Sequence, residues 1–272
     1  AFTCPAVTKV VASTDGGDDV VDAGASAQGL TPASLLTTIP LELSLGDGAD
    51  FAYGGRAADI IRGGSGDDTF NTDPPGGSTA NAGADQGFGD DGNDTLSGAR
   101  GNDTLDGGAG LDTITGGPDN DTVTGGADAD QLAGGPGADT INGGSGNDTM
   151  EGECYFFACS EQTSAPLGSD VMAGGDGLDT VFYYTQAAPP NGPPPATPIP
   201  GVEVTVTLDD VQNDGRAGEP ADNVRSDVET VDLSRTYAPT SQLAEGSGDV
   251  KGSSGFNQLI GSNGDDNLLA LI

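Results

Sequence analysis

The sequence predicts an all-β solenoid of short strands, on two observations. Asp94, Asp103, Asp112, Asp121, Asp130, Asp139 and Asp148 stand nine residues apart without a slip. The phrase around them is equally regular: glycines fill the first half of each unit, aspartate is sixth, and an apolar residue is eighth (Leu96, Leu105, Ile114, Val123, Leu132, Ile141, Met150). A short period held over consecutive units means stacked repeats and excludes an ordinary globular core.

The unit reads G1-G2-x3-G4-x5-D6-x7-U8-x9, with U apolar. Its glycine half accepts positive φ, so the chain turns tightly and aims its carbonyls at one point. Its second half, such as Thr95-Leu96-Ser97, alternates polar, apolar, polar, the pattern of a half-buried strand. One unit is therefore a turn plus a strand, and two make a flattened coil. Units two apart then stack at the inter-strand spacing, about 4.8 Å. Stacking lines the eighth-position residues into a thin core and the aspartates into a column along each edge.

Those columns pose an electrostatic problem. Carboxylates about 4.8 Å apart repel by about 1 kcal/mol in water and about 3.5 kcal/mol at an effective dielectric of about 20. A column repeating that clash requires cations. Oxygen-only ligands suit a hard ion with flexible coordination, and calcium fits best. Zinc or copper would call for His or Cys, and the chain has no His.

On these residues the sequence resembles the RTX (repeats-in-toxin) calcium-binding family, whose nonapeptide is GGxGxDxUx. The resemblance implies a parallel β-roll, with calcium held between stacked turns by the sixth-position Asp and glycine-turn carbonyls. The implied ligands are Asp50, Asp59, Asp68, Asp85, Asp94, Asp103, Asp112, Asp121, Asp130, Asp139, Asp148, Asp170, Asp179 and Asp266. Stacked pairs give six sites in the unbroken run, Asp50/Asp68 a seventh, and pairs bridging insertions up to eleven in all. The departures are Asp119 and Asp128 in place of the fourth-position Gly, and Gln131 in place of the usual Thr. Asp tolerates the left-handed region better than most residues, so these turns should survive with altered ion affinity.

Composition agrees with an ion-dependent fold. Leu, Ile, Val and Phe number 51 of 272 residues, and the formal net charge is −35. Without counter-ions that balance predicts disorder, so metal binding and folding should be one event. Such acidity argues against nucleic acid and anionic membrane as partners, and no apolar run approaches the roughly 20 residues that span a bilayer. The opening AFTC reads as a processed mature form, and calcium sites of this type point outside the cell.

Along the chain, the calcium-binding roll is expected over 1–184, with insertions near 29–43, 72–79 and 153–166. DGGDDVVDA places Asp19 sixth, and Gln28 is the next, degenerate position. Asp50, Asp59 and Asp68 follow nine apart. In Asp85's unit Gly87 takes the apolar place, and Phe88 is the candidate to replace it. Asp170 lies 22 residues after Asp148, one unit plus a 13-residue loop. In that loop Cys154 and Cys159 can close a small disulfide. Cys4 could pair with either, bond to another chain, or stay free. Tyr155, Phe156 and Phe157 read as a local lid over the roll.

Residues 185–200 are a Pro-rich loop, and 201–272 an acidic segment followed by C-terminal repeats. Val202 to Leu208 alternates as a strand. Asn213, Asp214, Glu219, Asp222, Asp227 and Glu229 resemble the acidic segment that interrupts bacterial RTX arrays, and read either as a separate calcium site or as a solvated loop. Asn257 and Asp266, nine apart, mark the roll's return.

Repeats and insertions leave no room for a catalytic domain, so no enzyme is expected. Lack of His removes HExxH and Ser-His-Asp chemistry. GASAQ around Ser26 does not complete a nucleophile elbow. The paired carboxylates form a ladder and do not frame a cleft. The expected function is a secreted, calcium-stiffened structural rod of the cell surface or matrix, associating head to tail through its apolar C-terminal unit. The alternatives are an ice- or glycan-binding adhesin module, or the non-catalytic tail of a larger secreted protein. Third-position residues Asp91, Arg100, Ala109, Pro118, Ala127, Pro136 and Ser145 form no Thr or Asn ladder of the ice-binding kind.

Overall fold

In the computed structural model the alternation of long and short strands follows the nonapeptide. The structure describes residues 9–22, 39–73, 83–152, 168–182, 204–207, 215–216, 222–224, 227–228, 230–232, 248–251, 258–260 and 267–269. One wall of the roll is a parallel sheet of nine strands. Its well-formed members are Leu41–Asp47, Ile60–Ser65, Gln86–Asp91, Thr104–Ala109, Thr122–Ala127, Thr140–Gly146 and Val171–Gly177. The facing wall is a parallel sheet of ten, mostly three-residue strands such as Thr95–Ser97, Thr113–Thr115 and Gln131–Ala133. The chain alternates between the walls, so each strand pairs with the one two units away: Thr95 with Thr113, Thr113 with Gln131.

The insertions leave this register intact. Gln86 stacks on Ile60 across 26 residues, Val171 on Thr140 across 31, and Asn223 on Val171 across 52. Each interval is one two-unit coil plus a loop. The first spacer ends earlier than expected. Leu41 already begins a strand, and Leu41 and Leu43 are core residues, because strand alternation from Leu41 to Leu45 points all three inward.

The core is a double file of side chains one residue wide. Leu43, Ile61, Leu105, Val123, Ile141, Met172 and Val224 come from the long-strand wall; Ala52, Phe70, Leu96, Ile114, Leu132, Met150, Val181 and Val231 face them. The long-strand file is interrupted at Gly87, which stacks between Ile61 and Leu105. Phe88 does not replace the missing side chain. It lies beside Arg62 in the ladder, with the guanidinium carbon 4.0 Å from its ring centroid. The gap is filled from the opposite wall by Phe70: a Cβ at Gly87 would stand 2.9 Å from Phe70 Cε2 and 2.9 Å from Leu105 Cδ2.

Beyond Phe182 three short strands extend the two walls, and four others form a separate sheet that includes one antiparallel pairing. Thr230–Asp232 and Gln258–Ile260 extend the short-strand wall. Val204–Thr207, within the expected strand, pairs with Gly248–Lys251, which pairs in turn with Asn267–Leu269 eighteen residues on. Several expectations concern residues outside the described ones: Gln28, the three cysteines, Tyr155, Phe156, Phe157, the Pro-rich loop, Asn213, Asp214, Glu219, Glu229, Asn257 and Asp266.

Candidate metal columns

Each sixth-position aspartate ends a turn and precedes a strand, so its backbone belongs to the ladder and its side chain to the edge. Thr113 N donates to Asp94 O at 2.8 Å, and Thr122 N to Asp103 O at 2.9 Å, carrying the sheet register into the turn. The side chain adds a second stitch. Asp112 Oδ1 accepts the N–H of Asp94 at 2.8 Å, Asp121 Oδ1 that of Asp103 at 2.8 Å, and Asp148 Oδ1 that of Asp130 at 2.9 Å.

The same bond joins every one of the eleven sequence-expected pairs. It spans the insertions between Asp59 and Asp85 at 2.6 Å, Asp68 and Asp94 at 2.7 Å, Asp139 and Asp170 at 2.9 Å, and Asp148 and Asp179 at 2.9 Å. Two columns result. One runs Asp19, Asp50, Asp68, Asp94, Asp112, Asp130, Asp148, Asp179; the other Asp59, Asp85, Asp103, Asp121, Asp139, Asp170, Asp222. Asp222 is a correction: it is neither a separate site nor a solvated loop residue but continues the Asp59 column, its Oδ1 accepting from Asp170 N at 2.9 Å. A 34-residue excess over one coil hides that register in the sequence.

The second carboxylate oxygen is the chemically telling one. Oδ2 of Asp50, Asp68, Asp85, Asp94, Asp103, Asp112, Asp121, Asp130, Asp139 and Asp148 is buried with no hydrogen-bond donor. A buried carboxylate oxygen without a partner is strongly unfavourable unless the carboxyl is protonated or a cation compensates it. Asp59 differs, since Gly55 N donates to its Oδ2 at 2.5 Å.

What surrounds eight of these bare Oδ2 atoms follows from the first-position glycine. A Cβ at Gly107 would lie 2.2 Å from Asp112 Oδ2 and 2.5 Å from Gly125 O; at Gly116, 2.5 Å from Asp121 Oδ2 and 2.7 Å from Gly134 O. A carboxylate oxygen and the carbonyl of the next coil thus converge on a cradle that a methyl group would fill. Gly63, Gly89, Gly98, Gly125, Gly134 and Gly143 repeat it. Hard oxygens converging in this way suit calcium, whose oxygen distances are about 2.3–2.6 Å. Among the described residues, no three acidic or cysteine side chains cluster as a metal site, so backbone carbonyls must complete any ligand set. The second- and fourth-position glycines supply the turn, as with Gly117 at φ 119° and Gly110 at φ 130°. Asp119 at φ 88° and Asp128 at φ 75° adopt the left-handed turn expected of them, and Asp90 and Ala99 do so as well.

Burial raises the acids of both columns, and Asp59, at the start of the Asp85 column, reaches about 6. Burial pushes Asp85 and Asp103 up to about 8, Asp139 to about 9 and Asp121 to about 10. In the other column burial raises Asp68 to about 6 and Asp94 and Asp130 to about 7. Neighbouring carboxylates push the same way, Asp170 on Asp139 for instance, while the backbone N–H bonds oppose it.

A second ladder went unread in the sequence. Asn93 Oδ1 accepts from Leu111 N at 2.9 Å, Asn120 Oδ1 from Ala138 N at 2.8 Å, and Asn147 Oδ1 from Leu178 N at 2.9 Å. These fifth-position asparagines bond forward along the roll, whereas the aspartates bond backward. The signal was the recurrent Asn before Asp.

Residues 44–73, 79–114, 115–150 and 245–270 match the family model of the RTX calcium-binding nonapeptide repeat, in four copies. No curated protein and no solved structure matches the chain. With the repeat matched over these stretches and the two parallel walls in place, the chain carries RTX calcium-binding repeats folded as a parallel β-roll.

Proposed function

We propose that this protein is an extracellular structural rod whose stiffness comes from calcium held along both edges of the roll. The observation that carries the reading is the run of buried, donor-free Oδ2 atoms, eight of which converge with a glycine carbonyl of the next coil. Asp68, Asp94, Asp103, Asp112, Asp121, Asp130, Asp139 and Asp148 have both oxygens of that cradle in place, which supports about eight ions. Asp170 and Asp179 hold the same register above Gly152 and Gly174. Neutralising each column removes the repulsion that otherwise opposes stacking. Sites of this kind in extracellular modules load at about 0.1–1 mM calcium, which favours a location outside the cell.

Assembly end to end into filaments is the finer part of the proposal. It is supported by Val10–Ser13 and Val20–Asp22, which form sheet edges among the described strands and expose Val11 and Val20. Such edges are templates for pairing. A calcium titration followed by circular dichroism and native mass tests the metal reading: β-structure should appear together with bound ions. Electron microscopy with calcium tests assembly. Filaments or lattices support the rod, and discrete monomers favour a binding module.

A further inference from the structure

The cradles are not all open. At the first-position register, Thr14 and Leu45 stand where Gly63, Gly89 and Gly107 stand in the Asp94 column, and Thr72 stands where Gly98, Gly116 and Gly134 stand in the Asp103 column. The register is fixed by backbone bonds: Gly54 N donates to Asn71 O, Thr72 N to Ser97 O and Gly98 N to Thr115 O, at 2.9, 2.9 and 3.0 Å.

Thr72 is fully buried, and its hydroxyl donates to Gly98 O at 2.7 Å. That carbonyl is the one which, a coil later in the form of Gly116 O, faces the bare Oδ2 of Asp103. The Thr72 hydroxyl also lies beside the Asp85 carboxyl. The hydroxyl thus faces both groups that line the cradle, donating to Gly98 O and standing within hydrogen-bonding reach of the Asp85 carboxyl. Thr14 repeats the arrangement independently in the other column, its hydroxyl donating to Leu45 O. In both cases a threonine hydroxyl meets the next coil's first-position carbonyl, and the threonine Cβ takes the place that glycine leaves empty.

We propose that Thr72 and Thr14 close their levels of the two columns to calcium, the side chain occupying the cradle and its hydroxyl binding the carbonyl that an ion would otherwise use. The proposal rests on the calcium reading above and narrows it. Calcium is then excluded from the cradle between Asp85 and Gly98, while the levels above it, beginning with Asp103, remain open. The coils bearing Thr14 and Thr72 are joined to their successors by protein groups in place of an ion. This stitch falls where it is most useful at Thr72, beside the insertion that interrupts the array.

The test compares calcium counts by native mass spectrometry at saturating calcium for the wild-type chain, Thr72→Gly and Thr72→Ser. Thr72→Gly should bind one more ion than wild type, and Thr72→Ser, which keeps both Cβ and hydroxyl, the wild-type number. An unchanged or lower count in Thr72→Gly would overturn the proposal. If Thr72→Gly does not fold, anomalous scattering from calcium-grown crystals of the wild type decides the matter. Peaks at the Asp103 and Asp121 levels and none between Asp85 and Gly98 are expected, and a peak there overturns it. A wild-type chain that binds no calcium at all would overturn the underlying metal reading as well, a result distinct from an unchanged count.

Discussion

Asp112 accepts the backbone N–H of Asp94 on Oδ1 at 2.8 Å, and the other oxygen of the same carboxyl is buried with no donor. One oxygen thus ties two coils together while the other opposes their stacking until something neutralises it. A hydrogen bond to a charged acceptor contributes about 1.5–3 kcal/mol. Burying an uncompensated charge costs several kcal/mol, so the net sign at each level depends on the cation. On the proposed reading the repeat is a metal-gated stitch.

Removing calcium should therefore unfold the roll. Each site filled to about 100 times its dissociation constant contributes about 2.7 kcal/mol, and several such terms exceed the typical stability of about 5–15 kcal/mol for a domain. Far-ultraviolet circular dichroism in chelator should lose its β-signal and recover it on adding millimolar calcium. A β-spectrum indifferent to chelator at neutral pH would contradict the coupling.

Asp112→Asn separates the two roles of the carboxyl. The amide keeps an oxygen for the Asp94 N–H but brings no charge to the cradle beside Gly107. The variant should fold in saturating calcium, bind fewer ions than wild type, and lose about 2–3 kcal/mol of stability. In a chain of this size each kcal/mol lowers the melting temperature by about 2–4 °C. An unchanged ion count with an unchanged melting temperature would remove Asp112 from the ligand set.

The pH dependence without calcium follows from the raised carboxyls. Burial holds Asp85 and Asp103 near 8, Asp139 near 9 and Asp121 near 10 in the fold, against about 3.9 in the unfolded chain. Between those values the folded state binds more protons, so stability falls as pH rises. The contribution is complete below about pH 4 and is lost as pH climbs through the folded-state values. Calcium-free protein should hold more β-structure at pH 4 to 5 than at pH 8, and calcium affinity should increase over the same range as protons are displaced. A calcium-free β-signal that strengthens with rising pH would reverse the argument.

The strands, the two-unit coil and both columns were legible because side-chain periodicity in a solenoid maps directly onto space. Asp94 and Asp112 announce their contact by spacing alone. Thr72 could not be read that way, because the insertion that follows it leaves its register undecided until the Thr72–Ser97 backbone bond is seen. The long insertion before Asp222 hides its place in the column for the same reason. Phe88 was misassigned on a local argument, nearness to Gly87. The structure fills that gap from Phe70 on the facing wall, and contacts between walls leave no periodic trace in the sequence.

That contact yields the last prediction. Gly87 and Phe70 are complementary across the core: the glycine leaves a space and the ring occupies it, 2.9 Å from where a Cβ would be. Gly87→Ala alone should overpack the site, at a cost of about 1–3 kcal/mol. Phe70→Leu alone should leave part of the space empty, since removing aromatic volume from a core creates a cavity that neighbours fill incompletely. Together the two changes exchange volume between the walls, so the double variant should be more stable than the sum of the single effects implies, by about 0.5–3 kcal/mol. Melting temperatures of the four proteins in saturating calcium close the cycle. Additive losses would mean that Phe70 and Gly87 are packed independently, and that something other than the ring accounts for a glycine in the core file.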